Sequence, residues 1–325
     1  MKEIAIIGTG AYGLSIALAL LKKNKHIKMW VESEERANYL NNNKSNTGIL
    51  PGVVVPDEIE FSNDYEYVLK DTTVVFIAVT AKFVNDVTKE IKKYNIKNKH
   101  FCILSKGIEQ NSCEFVTDVF KRNIKTKNVS VVSGPSFAID VASHQPIGLS
   151  IASKNKATIE IIKKVLQSDS IKLRSSNDLI GVELCGSIKN VIAIAAGILE
   201  GLGYKESTRS FLITESLHDI KSLIYGLGGS KKTILSFAGV GDLLLTATST
   251  KSRNYSYGIL IGQKNMEEAQ KYVENTTVEG YYTLKSIYTL IKRKKIKMPI
   301  IDLIYRIIIK GEEPEKLALF LIKKD

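Results

Sequence analysis

Short apolar runs alternate with helix-period segments along the first half of the chain. Residues 4–7, 27–31, 74–79, 101–104, 129–132 and 147–151 are dense in Ile, Val, Phe and Leu and are too short for helices, so they read as buried strands. Between them, residues 14–23, 33–41, 82–93 and 156–166 carry apolar positions at helical spacing. Strands in this rhythm with helical connections predict a mostly parallel sheet covered on both faces. From about Gly181 the strand-like runs thin out. Helical periods then cover 182–199, 208–225, 254–262, 266–273, 282–292 and 300–309, and Gly226-Leu-Gly-Gly229 breaks two of them. The prediction is an α/β domain over 1–181 followed by an all-helical domain over 182–325. The Asn-rich residues 41–46 and Pro51-Gly52 mark a long exposed connection.

Composition narrows the class without naming a function. A chain of 325 residues can build two domains with real cores, and 44% hydrophobic with 25% charged residues is ordinary for a globular protein. The net charge of +12 raises the question of nucleic acid. Its lysines are spread along the chain, with no arginine-rich block or aromatic-interleaved stripe. The charge therefore reads as solvated surface with some attraction for anionic metabolites, and no nucleic-acid partner is expected. Cys102, Cys113 and Cys185 are odd in number and lack metal spacing, which fits a reducing compartment. The four histidines form no zinc-type pair, so no metal is expected. The N-terminus reads as a strand and not as a signal region. The stretch 182–199 has the length to raise a membrane question, but Lys189 and Asn190 at its centre argue against a span. A cytoplasmic location follows.

Gly8-Thr-Gly10-Ala11-Tyr12-Gly13 matches G-x-G-x-x-G and stands where that pattern carries meaning, after an apolar strand and at the opening of a helix. Gly8 allows the tight turn, Gly10 lets the backbone approach a pyrophosphate, and Gly13 lets the helix pack on the strand. The first domain is therefore expected to be a Rossmann-like doubly wound sheet that binds NAD(H) or NADP(H). Glu32 ends the second strand, close to twenty residues on, where an acidic side chain accepts the adenosine ribose and repels a 2′-phosphate. It leans the choice towards NAD(H), although Arg36 nearby could offer a phosphate contact.

Lys189 sits near the middle of the small, apolar run 182–199. A buried ammonium costs roughly several kcal/mol unless it is paired or gives up its proton. Two readings stand at this point: a lysine snorkelling to water from a core helix, or a lysine kept for chemistry. Other polar motifs occupy strand ends and helix starts. Ser105-Lys106-Gly-Ile-Glu109 follows a strand at the edge where open α/β sheets bind ligands. Ser133-Gly134-Pro-Ser136-Phe-Ala138 follows another. Ala238-Gly-Val-Gly-Asp242-Leu lies in an apolar segment, and Ser252-Arg253-Asn254 opens a helix, placing a guanidinium beside an anion-friendly terminus. Taken singly, each is equally a cap, a turn or a solvated basic residue.

Together these motifs resemble the NAD(P)-dependent glycerol-3-phosphate dehydrogenases. The matching pieces are Gly8–Gly13, Ser105–Glu109, Ser133–Ala138, Lys189-Asn-Val-Ile-Ala-Ile-Ala-Ala-Gly197, Gly239-Val-Gly-Asp-Leu243, Thr248-x-x-x-Ser-Arg-Asn254 and Val278-Glu-Gly280, in the family's order across both halves. The resemblance implies reversible reduction of dihydroxyacetone phosphate to sn-glycerol 3-phosphate, supplying glycerophospholipid synthesis. It implies that Lys189 is the catalytic lysine, with Lys106 and Asp242 holding and polarising the substrate. Arg253, Asn254 and Ser252 would bind the phosphate, and Gly134 and Ser136 would help close the substrate site. Ala11, Tyr12, Lys106, Ala138, Arg253 and Glu279 would touch the dinucleotide. Ala11 departs from the serine that members often have, and Glu32 from the histidine or arginine of several NADP-using members.

Elementary chemistry agrees. As a hydride reaches the C2 carbonyl, negative charge grows on its oxygen, which Lys189 can protonate, while Arg253 anchors the distant phosphate. The expected partner is a small phosphate substrate, and the expected assembly is a homodimer through the helical domain. Two competing readings are a related two-domain reductase of another keto or hydroxy acid, which gives no reason for Ser252-Arg-Asn254, and a dinucleotide-binding redox sensor, which needs no buried lysine.

Overall fold

The computed structural model describes residues 3–45 and 48–323. By internal contacts the chain divides into two compact units. Unit 1 is Met1–Lys106 with Val116–Leu179, and unit 2 is Gly107–Phe115 with Ile180–Asp325.

Unit 1 is built on one eight-stranded sheet. Its strands are β1 (Glu3–Ile7), β2 (Ile27–Trp30), β3 (Ile59–Ser62), β4 (Thr72–Ile77), β5 (His100–Ile103), β6 (Val129–Ser133), β7 (Ile147–Ala152) and β8 (Ile171–Ser176), in the spatial order β3-β2-β1-β4-β5-β6-β7-β8. The first six strands run parallel in the doubly wound order 3-2-1-4-5-6, so the crevice for a ligand lies at the carboxyl ends of β1 and β4, where the order reverses. Only β7 opposes its neighbour β6, and β8 again runs parallel to β7. The strands read from apolar runs are all present. Two others, β3 and β8, lie at the sheet's edges, where Ile59 and Phe61 or Ile171 and Leu173 point inwards and their neighbours do not.

The connecting helices are α1 (Ala11–Leu21), α2 (Glu34–Asn43), α3 (Tyr65–Leu69), α4 (Val84–Ile91), α5 (Val116–Asn123), α6 (Ala138–Ala142) and α7 (Lys156–Leu166). α2 bears out the helical reading over 33–41 and runs two residues further, so Asn42 and Asn43 of the Asn-rich connection are helical. The Asn41 side chain donates to the Phe61 carbonyl (2.9 Å) and accepts the Phe61 N–H (3.1 Å), pinning β3. Asn46, from the same cluster, lies outside the described residues.

Unit 2 is helical: α8 (Leu179–Gly201), α9 (Glu206–Gly226), α10 (Asp242–Ala247), α11 (Arg253–Gly262), α12 (Met266–Asn275), α13 (Glu279–Arg293), α14 (Pro299–Lys310) and α15 (Lys316–Lys323). Among the described residues, α8 is the one helix long and apolar enough to cross a membrane, and 94% of its apolar window is buried in protein. It is apolar all round because it is enclosed on every side.

Its small residues set the packing. A Cβ on Gly197 would stand 2.1 Å from the Tyr255 carbonyl oxygen, and one on Gly258 2.1 Å from that of Ile194. α8 and α11 therefore meet backbone to backbone. Gly258→Ala is expected to destabilise unit 2 by about 3 kcal/mol, because the obstacle is main chain that cannot yield, and denaturant unfolding of the variant checks this.

Candidate active site

In unit 1 the glycine turn leaves β1 and enters α1. Gly8 adopts φ +111°, where a Cβ would also meet the Ala78 carbonyl at 3.0 Å, and a Cβ on Gly13 would stand 2.6 Å from the Gly8 oxygen. The turn is closed on those two sides. A Cβ on Gly10 meets nothing within 4 Å, and Gly10 caps α1 without any side-chain hydrogen bond. Gly10 thus leaves open space beside the N-terminal end of α1, as a turn that receives a pyrophosphate requires. The Gly8 N–H donates to the Trp30 carbonyl (3.1 Å), which sets the turn beside the end of β2, two residues before the exposed Glu32. Ala11 opens α1 and Ala138 opens α6, both partly buried against the sheet's core.

The loops after β5 and β6 gather at the same sheet edge. The Lys106 ammonium lies 5.5 Å from the centre of the Tyr12 ring and donates to the Gly134 carbonyl (3.4 Å). The Ser136 hydroxyl donates to that carbonyl (3.0 Å) and stands 3.0 Å from the Tyr12 hydroxyl. Tyr12, Lys106, Gly134 and Ser136, far apart in sequence, are therefore neighbours. Ser105 positions Lys106 by donating from its buried hydroxyl to the Val79 carbonyl (2.6 Å), which ties the end of β5 to that of β4.

In unit 2 the Lys189 ammonium is buried, so it does not snorkel to water. It donates to Asp242 Oδ1 (2.6 Å) and to Thr246 Oγ1 (2.9 Å). The Thr246 hydroxyl donates to the Asp242 backbone carbonyl (2.7 Å), so its oxygen is left to accept from the lysine. Asp242 is fully buried in the first turn of α10, whose N-terminal end favours a carboxylate. The chain reaches it through Phe237–Gly241, leaving helical geometry at Gly239 (φ −83°, ψ −108°).

The neighbouring residue Asn190 ties the other motifs to this lysine. Its amide donates to Glu279 Oε2 (3.2 Å), and its oxygen accepts from the Asn254 amide (3.0 Å), whose own oxygen accepts the Gly280 N–H (2.8 Å). Gly280 is required here, since a Cβ would stand 2.6 Å from the Asn190 carbonyl oxygen. Ser252 caps α11 by accepting the Tyr255 N–H (3.3 Å), and Arg253, the first helical residue, is exposed. Behind it, the Tyr255 hydroxyl donates to Glu200, which Arg209 also contacts at 3.0 Å. Burial, and then that carboxylate, hold the Tyr255 phenol above its ordinary range, so it stays a neutral donor. All three cysteines are buried and outside any disulfide, and burial pushes the Cys102 thiol up to about 12.

Two family models cover nearly all of the chain. The one described as NAD-dependent glycerol-3-phosphate dehydrogenase N-terminus matches residues 3–159, and the C-terminus model matches residues 178–319. A glycerol-3-phosphate dehydrogenase [NAD(P)+] of Fusobacterium nucleatum is 32% identical over 100% of this chain and 98% of its own. One from a Thermoanaerobacter species is 35% identical over 99% and 97%. The chain belongs to the glycerol-3-phosphate dehydrogenase family. The crystal structure of the Coxiella burnetii glycerol-3-phosphate dehydrogenase superposes with a TM-score of 0.94, covering 99% of each chain at 29% identity.

Two members of this dehydrogenase's polar network, Thr246 and Asn190, have no site role assigned from the sequence. Thr246 carries a usable signal, since it stands four residues after Asp242 and so on the same helix face. Asn190 carries none beyond its adjacency to Lys189.

Proposed function

We propose that this chain interconverts dihydroxyacetone phosphate and sn-glycerol 3-phosphate, with Lys189 as proton donor and Asp242 as the group that orients it. The observation that carries these roles is the buried Lys189–Asp242–Thr246 cluster in a member of this family. Unit 1 is the dinucleotide-binding part, and unit 2 carries the proton-transfer and phosphate groups. When bound, the reduced nicotinamide supplies a hydride.

The chain's own residues do the rest. Asp242 and Thr246 hold the Lys189 ammonium at a fixed point, from which it gives a proton to the oxygen growing negative at C2 and recovers it in reverse. Arg253 binds the phosphate by charge-assisted bonds, helped by the N-terminal end of α11 that Ser252 caps. Asn254 stands beside Arg253, and its amide, which keeps one N–H beyond the bond to Asn190, binds the phosphate with it. Lys106 adds a second positive centre, with Gly134 and Ser136 fixing its position. Gly8, Gly10, Ala11, Tyr12, Gly13 and Ala138 would hold the dinucleotide, with Glu279 as a further contact. Glu32 selects NADH by accepting the ribose hydroxyls and repelling a 2′-phosphate. The same reading places the protein in the cytoplasm as a homodimer that supplies glycerophospholipid synthesis.

The test is absorbance at the reduced-nicotinamide band with dihydroxyacetone phosphate, comparing NADH and NADPH. Oxidation is expected with both, faster with NADH. Silence with both would overturn the reaction, and faster NADPH oxidation would remove the role of Glu32. In Arg253→Ala the KM for dihydroxyacetone phosphate is expected to rise about a hundredfold with a smaller change in kcat, and an unchanged KM would remove the phosphate role.

A further inference from the structure

Unit 1 holds a cavity of about 540 Å³ whose rim is basic. Lys121 comes from the end of α5, Lys127 precedes β6, and Lys154 and Lys156 follow β7. Because β7 runs antiparallel to β6, the end of β7 lies beside the beginning of β6. The cavity therefore sits at the amino end of β6, whereas Gly134 and the Lys106 loop sit at its carboxyl end. Five residues of strand put about 15 Å between the two places.

Among the described residues none of these four lysines makes an ion pair, and no carboxylate lines the cavity. Elsewhere on the same unit lysines do find partners, as Lys44 does with Asp57 (3.1 Å) and Lys93 with Glu90 (2.8 Å). Four like charges around one space repel, yet hydrogen bonds staple the two basic loops together. The Asn155 amide donates to Asn128 Oδ1 (2.8 Å), and the Ser153 hydroxyl donates to the Val129 carbonyl (2.6 Å). Thr126 Oγ1 accepts the Asn128 N–H at 3.0 Å, and Ser153 Oγ accepts the Asn155 N–H at 3.1 Å. The fold thus fixes the two loops that carry these lysines beside one another. The positive end of α7 starts at Lys156.

We propose that this cavity is a second anion site, apart from the glycine turn, and that it takes linked phosphates, either free or carried by a nucleoside. Lysine suits phosphate as a compact point charge. One phosphate carries a charge of at most about −2 and would leave half the rim uncompensated, so a polyphosphate fits better. The volume falls in the range of small-molecule sites.

The experiment is hydrogen–deuterium exchange and calorimetry on the full chain, with inorganic tripolyphosphate or ATP as probe and NADH saturating. Protection is expected at residues 126–128 and 154–158, with affinity falling as salt rises. Lys127→Gln/Lys154→Gln/Lys156→Gln should weaken binding about a hundredfold while leaving NADH oxidation unchanged, since all three side chains are exposed. Tighter binding of ATP than of tripolyphosphate would assign the site to nucleoside-borne phosphates, and equal binding would assign it to phosphates alone. The proposal is overturned if neither probe binds at low salt, if the triple variant binds as well as the parent, or if protection appears only around the glycine turn.

Discussion

Lys189→Ala is expected to lower turnover with dihydroxyacetone phosphate by about a thousandfold or more, while NADH still binds. The size follows from what the lysine does. Its ammonium is fixed by Asp242 and Thr246, so its proton is offered without reorganisation to an oxygen that becomes negative only as the hydride arrives. Such a group acts on the transition state more than on the bound ketone, so kcat should fall and KM should change little. The dinucleotide turn belongs to unit 1, and its binding, read by fluorescence of the bound cofactor, should survive. Removing the lysine also leaves the Asp242 carboxylate buried without its cation, which costs stability. Lys189→Arg separates the two effects. It keeps a positive charge but holds its proton far more tightly than lysine, so stability should largely return and turnover should not. Near-normal turnover in either variant would remove Lys189 from the chemistry.

Some of this was readable in the chain and some was not, for physical reasons. The central strands are legible because they are buried on both faces and dense in apolar residues. β8 did not, because an edge strand with one wet face needs only Ile171 and Leu173, and Lys172 and Arg174 between them resemble a loop. β3 hid in the same way, and its pinning by Asn41 depends on a contact twenty residues away. The antiparallel turn of β7 leaves no local mark at all. The excursion of Gly107–Phe115 to unit 2 is equally silent, although Glu109 inside it folds back to accept the Asn111 and Ser112 N–H groups (3.1 and 2.7 Å). In the candidate site, Lys189 was conspicuous because a charge in an apolar run is costly. Its partner was not identifiable by spacing, since Asp242 lies 53 residues on, beyond a helix and a kinked segment. The motif around Asn254 was visible, but its engagement with Asn190 and Gly280 required three helices to converge.

Asp242→Asn should be the most damaging single change to the stability of unit 2, by about 3–5 kcal/mol, and should also remove most turnover. The pair is buried, so its two charges gain little from water and depend on each other. An amide at 242 keeps the shape but leaves the Lys189 ammonium desolvated without a counter-charge, which drives the lysine towards its neutral form. A neutral amine cannot donate the proton that the reaction needs, so loss of stability and loss of activity share one cause. A double variant distinguishes the structural from the chemical part. Lys189→Met with Asp242→Leu removes both charges and fills the space with apolar groups of similar size, a replacement that is often neutral or stabilising. Unfolding by denaturant should therefore show recovery towards the parent, while turnover stays abolished. If the double variant were as unstable as Asp242→Asn, the pair would be holding unit 2 together through its geometry and not through its charge balance. If it regained turnover, neither residue would belong to the reaction.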